Sequence, residues 1–194
     1  MLFEHVGDNR SGKTFLMSMW GFFDWLAGIK VYANCRPDKG FPGGYDCFLN
    51  YPHHHYDPDV EMPQEEGTTV ITDESLRPLE SRRAGKQIIM EKGYWAREAT
   101  KAGQDWHWDA FDHTEIEKRV RRSWHWQIKT TRIPHDPDEP LVAIRVEARS
   151  RYNANWRRGY FPNPDWNLPV SFFYPIYNDK ATLRRRQLEG MTTN

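Results

Sequence analysis

The sequence predicts an α/β domain: a mostly parallel sheet flanked by helices, with an antiparallel extension toward the C-terminus. Three observations carry this. Short apolar or β-branched runs alternate with helix-period segments through the first two-thirds of the chain, the pattern of parallel strands joined by crossover helices. A glycine-rich loop, residues 7–14, lies between the first such run and the first helical segment. After residue 123, alternating stretches around a turn-rich segment read as antiparallel hairpins.

The 194 residues suit a single domain, with a core at about 1–133 and a β extension plus a basic helix at about 134–194. Residues 2–6 are mostly apolar and end at Gly7, a buried strand. From Lys13 the period turns helical. Phe15, Leu16, Met19, Phe22, Phe23 and Leu26 form one broad apolar face, and Gly28 ends the helix. Residues 29–33 read as a second strand. Residues 34–67, rich in Pro, Gly, His and acids, read as an irregular surface stretch with room for one helical turn. Residues 68–72 are β-branched throughout and end at Asp73, a third strand. Residues 80–102 place Ile88, Ile89, Tyr94, Trp95 and Ala99 in a helix interrupted by a loop near Gly93. A fourth strand is expected at 104–108, and a short helix at 113–122 with Ile116 and Val120 on one side. Residues 124–133 and 141–150 form a hairpin around 135–140. A last strand at 171–177 and a basic helix at 180–188 complete the reading.

Composition narrows the function. The 27 basic side chains balance 27 acidic ones, which argues against a histone-like coat protein or an acidic tail; contact with nucleic acid must come from local clusters. Cys35 and Cys47 form no CxxC pair and set no disulfide framework, which fits a reducing interior. The longest apolar stretch, residues 15–29, is broken by Asp24. As a helix it spans about 22 Å, short of the ~30 Å hydrocarbon core. No charged segment precedes it as in a signal peptide. A soluble, intracellular protein is expected.

Gly7-Asp8-Asn9-Arg10-Ser11-Gly12-Lys13-Thr14 matches G-x-x-x-x-G-K-[ST] in full. The glycines let successive N–H groups converge on a phosphate, and the helix that follows, with Phe15 in its first turn, adds its positive dipole end. Lys13 supplies a point charge between β- and γ-phosphates, and Thr14 a hydroxyl for Mg²⁺. A chance match in a turn is the competing reading, but strand before and helix after are the context the motif requires. At the end of the β-branched run, Asp73 would hold Mg²⁺ through water and Glu74 would orient the attacking water. Alone, Asp73 or Ser75 would read as a helix N-cap. Beside a phosphate loop the Asp-Glu pair reads as catalytic, and the glutamate favours hydrolysis over transfer to a small acceptor.

Basic clusters lie at 119–122, 149–158 and 184–186. Arg119, Arg121, Arg122, Arg151, Arg157 and Arg158 are candidates for DNA contact, with Tyr152 and Trp156 interleaved for stacking. Ordinary solvated charge is an equal reading. His53-His54-His55 suggests a metal, but adjacent side chains diverge and no Cys/His group has a recognised zinc spacing, so it reads as a surface triplet. The tryptophans at 106, 108, 124 and 126 are expected to pack both faces of the sheet.

The phosphate loop, Val31-Tyr32-Ala33-Asn34, Ile71-Thr72-Asp73-Glu74 and Glu80-Ser81-Arg82 together resemble the genome-packaging ATPases of membrane-containing icosahedral viruses. These include archaeal turreted viruses and belong to the FtsK–HerA superfamily. The zonula-occludens-toxin-like ATPases of filamentous phages are also similar. Ala96-Arg97-Glu98, Lys101-Ala102-Gly103, residues 116–121 and Tyr177-Asn178-Asp179 extend the likeness, which covers residues 2–133 well and the remainder weakly. The resemblance implies a P-loop NTPase fold of the RecA/FtsK–HerA kind and an ATP- and Mg²⁺-dependent motor that packages double-stranded DNA into a preformed capsid. It implies a homo-oligomeric ring, hexamer or pentamer, in which a neighbour's arginine reaches the γ-phosphate. Arg82 is the first candidate for that finger and Arg83 the second, followed by Arg119, Arg121 and Arg122. Other implied partners are a capsid, portal-vertex or membrane protein of the virion, in the host cytoplasm. The family's usual sensor Gln after the fourth strand is missing; Asp109 or Asp112 stands in that region and accepts hydrogen bonds without donating them. Alternatives are a filamentous-phage assembly or export ATPase (whose usual membrane-spanning segment is not visible here), a small-molecule kinase, and a nucleotide-binding structural subunit.

Overall fold

Strand β1 (Leu2–Val6) alternates Leu2 and Glu4 against Phe3 and His5, so each face of the sheet receives buried side chains from it. The computed structural model describes residues 1–35, 47–58, 60–73, 87–116, 118–136, 138–166 and 169–177. In these residues β1 is joined by β2 (Val31–Ala33), β3 (His54–His55), β4 (Thr69–Thr72), β5 (Asp105–Ala110), β6 (Trp126–Ile133), β7 (Ala143–Ser150) and β8 (Asn153–Phe161). They form one sheet in the order β3-β2-β4-β5-β1-β6-β7-β8. Every pairing from β3 to β6 is parallel; β6–β7 and β7–β8 are antiparallel. β6 therefore belongs to both halves, parallel to β1 on one side and antiparallel to β7 on the other.

Helix α1 (Lys13–Leu26) covers one face. Phe15, Leu16 and Met19 pack with Phe3, Ile128, Ile144 and Phe161, while Met17 meets Val31 and Ile71. Gly28 ends α1 at φ +81°, with its N–H donating to the Trp25 carbonyl. Helix α2 (Gln87–Lys101) covers the opposite face, where Trp95, Ala96 and Ala99 pack on Leu2, Val70, Trp106 and Trp108. Trp106 and Trp108 are two residues apart and so share this face, joined by Trp124; Trp126 reaches the other.

Four sequence expectations need correction. No loop interrupts α2 at Gly93: the helix runs through it, and glycine suits the position because a Cβ there would lie 2.9 Å from Arg119 Cβ. The single helix expected at 113–122 is a 3₁₀ turn, His113–Glu115, followed by the four-residue α3 (Lys118–Arg121). The segment 153–161, for which no strand is expected from the sequence and which takes in part of the basic cluster at 149–158, is the edge strand β8. The last strand expected at 171–177 is a 3₁₀ segment, Val170–Ile176, since Pro175 lacks a ladder donor and Phe173 turns into the core around α1. Only Tyr177 keeps a strand-like contact, an isolated bridge to Leu49. The basic helix expected at 180–188 lies outside the described residues.

Candidate active site

The phosphate loop leaves β1 at the centre of the sheet and enters α1 at its far end. Gly7 has φ +153° and Gly12 φ +94°, and a Cβ on either would fall on packed neighbours: Ser11 Oγ and the Thr130 carbonyl at Gly7, Ile144 Cδ1 at Gly12. Arg10 is also left-handed at φ 61°, so the loop tip alternates handedness in the manner of an anion-binding nest. Ser11 Oγ and Thr130 Oγ1 are 2.9 Å apart, which ties the loop to β6.

Lys13 folds back over the loop, its Nζ donating to the carbonyls of Gly7 at 2.7 Å and Asp8 at 3.0 Å. Burial pulls the Lys13 pKa down, against the carboxylates of Asp109, Asp73 and Asp8, which raise it. An anion within reach would hold this ammonium charged more firmly than two neutral carbonyls do. Thr14 Oγ1 donates to Asp73 Oδ1 at 2.7 Å, bringing the loop and the end of β4 into contact. Two hard oxygen donors, a hydroxyl and a carboxylate, are the donor chemistry that Mg²⁺ prefers. The residues present therefore fit both a phosphate and Mg²⁺.

Asn34, just after β2, holds Asp73 in place: its Nδ2 donates to the Asp73 carbonyl at 2.8 Å, and its Oδ1 accepts from the Asp73 N–H at 2.9 Å. No motif in the sequence assigns Asn34 this role. Its partner lies 39 residues away and is set by tertiary contact, so spacing along the chain does not mark it. β5, which ends beside Asp109, lies between β4 and β1, and Asp109 acts on Lys13 through its charge. Asp112 is used otherwise; its carboxylate caps the 3₁₀ turn by accepting from Thr114 N–H at 2.7 Å. The Phe15 side chain is buried among Phe161, Tyr174 and Tyr177, so only its backbone faces the loop. Asp8, Asn9 and Arg10 are exposed or partly exposed at the tip. Glu74, Arg82 and Arg83 lie outside the described residues.

Two basic clusters that are distant in sequence come together. Arg151 donates to the Arg122 carbonyl, at the strand ends opposite the phosphate loop. Arg149 lies between Trp124 and Trp156, its guanidinium 5.7 and 4.7 Å from the two rings. Arg119, Arg122, Arg151 and Arg157 are exposed or partly so, whereas Arg158 is paired to Glu147 at 2.9 Å. Arg121 sits at the end of α3.

The histidine triplet divides by role. His54 and His55 form β3, but His53 turns inward to Cys35 and Cys47, which the structure joins as a disulfide with Cα atoms 4.8 Å apart. This corrects the expectation that the two cysteines set no disulfide. Among the described residues no helix is long and apolar enough to cross a membrane.

No protein-family model and no curated protein matches the sequence. Solved structures do match the fold. The N-terminal domain of zonular occludens toxin from Neisseria meningitidis superposes with a TM-score of 0.61 at 16% identity, over 91% of this chain and 98% of that domain. The genome packaging NTPase B204 from Sulfolobus turreted icosahedral virus 2, in complex with AMPPCP, gives 0.54 at 11% identity, over 81% of this chain and 95% of that one. The flagellar accessory protein FlaH from Methanocaldococcus jannaschii gives 0.52 at 11% identity, over 82% and 84%. The parallel order around β1, the loop it feeds and these superpositions agree: the chain has the fold of the P-loop NTPases.

Proposed function

We propose that this protein is a Mg²⁺-dependent ATPase that drives the translocation of double-stranded DNA, as in viral genome packaging. The observation that carries the hydrolytic reading is the 2.7 Å contact between Thr14 and Asp73, with Lys13 already folded over the loop. Lys13 and the amides of residues 7–15 hold the phosphates, while Thr14 and Asp73 hold Mg²⁺. When bound, the ion neutralises charge on the phosphate oxygens. Glu74 follows Asp73 in the chain and orients the attacking water. An arginine from a neighbouring subunit in a ring, Arg82 or Arg83, completes the charge balance. The surface where Arg122 meets Arg151, with Arg119, Arg121 and Arg157 near in sequence, takes the DNA phosphates, and Trp156 and Tyr152 offer stacking. A capsid or portal-vertex protein is the docking partner.

A second reading is an assembly or export ATPase of the filamentous-phage kind. It is favoured by the extent to which the chain fills the zonular occludens toxin domain, 98% of its length.

The test is phosphate release from Mg²⁺–ATP, with and without double-stranded DNA, on wild type, Lys13→Ala and Glu74→Gln. A DNA-stimulated rate that falls about 100-fold or more in both variants, with nucleotide still retained by Glu74→Gln, supports the translocating motor. Release indifferent to DNA in the assembled protein favours the assembly ATPase. No release from wild type overturns the hydrolytic reading.

A further inference from the structure

Cys35, Cys47 and His53 come from three separate places in the chain, twelve and six residues apart, and converge within 4.8 Å. Both cysteines are buried, at 4% and 5% exposure, and His53 is partly buried. His53 Nε2 lies 3.3 Å from Cys47 Sγ and 3.8 Å from Cys35 Sγ. Two ligands of one tetrahedral zinc ion, with Zn–N of ~2.0 Å and Zn–S of ~2.3 Å, stand about 3.6 Å apart, midway between these distances. The surroundings are those of a metal ligand set. His53 Nδ1 donates to the Tyr51 carbonyl at 2.9 Å, which fixes the tautomer and leaves Nε2 with its lone pair toward the sulfurs. The Leu49 N–H points at Cys47 Sγ at 3.4 Å, a donor that steadies a thiolate.

We infer that the reduced chain binds one Zn²⁺ through Cys35 Sγ, Cys47 Sγ and His53 Nε2, with water in the fourth position. Two thiolates and an imidazole are the donor set that selects zinc over the hard cations Mg²⁺ and Ca²⁺. Zinc bound by two thiolates holds their sulfurs about 3.8 Å apart, so the ion and the disulfide exclude each other. Opening the disulfide takes two electrons from a thiol reductant, which leaves as its own disulfide; both protein sulfurs become thiols. Binding then releases two protons, one from each thiol. The site is distinct from the phosphate loop, although Cys35 directly follows the Asn34 that grips Asp73. Whichever bond forms, the end of β2 is anchored to the segment around Cys47.

The experiment is titration of the full chain with Co²⁺, a spectroscopic stand-in for zinc, before and after treatment with a thiol reductant. The reduced wild type is expected to take up one Co²⁺ with a thiolate-to-metal charge-transfer band, displaced by one Zn²⁺. The oxidised wild type is expected to show no such band. His53→Gln should weaken Co²⁺ binding about 100-fold or more, whereas His54→Gln, altering an exposed histidine of β3, should leave it unchanged. Cys47→Ser should abolish the band. The inference is overturned if the reduced wild type binds no Co²⁺, or binds it without thiolate absorption. Equal effects of the two histidine variants would also overturn it. The comparison of oxidised with reduced wild type decides the matter even if a variant fails to fold.

Discussion

Gly12 turns the chain into α1 at φ +94°, and a Cβ there would lie 2.5 Å from Ile144 Cδ1. Gly12→Ala therefore combines backbone strain with a steric clash, and should destabilise the protein by about 2–4 kcal/mol. Thermal denaturation measures the loss, and nucleotide binding should weaken with it. A second residue-scale effect comes from His5 and His107, both fully buried, with His5 Nε2 3.0 Å from His107 Nδ1. Burial, and then the Lys13 charge, push the pKa of His5 down from 6.5 to about 3. Burial also holds His107 well below 6.5. Both pKa values are lower in the folded chain than in the unfolded one, so the unfolded chain binds more protons as pH falls below 6.5. Stability is full above that pH and declines below it, by about 1.4 kcal/mol per pH unit for each histidine. Unfolding midpoints measured between about pH 7 and pH 5 should fall, and His5→Leu should flatten the profile. The motif residues were legible because their spacing is local. Asn34 and the Cys–His cluster were not, because their partners are set by tertiary contact: Asn34 meets Asp73 across 39 residues, and no zinc pattern has the spacing of Cys35, Cys47 and His53.

Among the elements, β1, β6 and β7 are joined by a polar relay as well as by their ladders. The Glu4 carboxylate, fully buried, accepts from Gln127 Nε2 at 2.8 Å and pairs with His113 Nδ1 at 2.7 Å; Gln127 Oε1 in turn accepts from Arg149 Nε at 2.8 Å. Gln127→Leu removes the middle of the relay and leaves a buried carboxylate short of a donor. It should cost about 1–3 kcal/mol, read from denaturant unfolding. Elements whose signals agree were legible: α1 combines helical period, a preceding glycine-rich turn and a terminal glycine. β8 was hidden because Arg157, Arg158 and Trp156 lie exposed on an edge strand, where neither face alternates cleanly. Aromatic residues at 171–177 mimic a strand, but they cap the core as a 3₁₀ segment. Gly93 suggested a break because glycine disfavours helix, whereas here it admits α3 against α2.

For the whole molecule, a ligand that binds only the folded state adds its binding energy to stability. At a concentration 100 times its Kd, a Mg²⁺–nucleotide should contribute about 2.7 kcal/mol. For a chain of this size that raises the unfolding midpoint by about 5–10 °C. The shift should appear with a non-hydrolysable ATP analogue and disappear in Lys13→Ala. The architecture was legible at this scale because strand–helix alternation fixes a parallel sheet whatever the errors at element ends. The boundary near residue 133 is another matter. Ile144 of β7 lies directly beneath Gly12, and Thr130 of β6 meets Ser11. The phosphate loop thus rests in part on a floor supplied by the antiparallel extension, and a fragment ending at residue 133 would keep Thr130 but have a hole beneath Gly12. A protease that trims the edge, or a partner that pries β7 loose, would unseat the phosphate loop without touching a single residue of its signature motif.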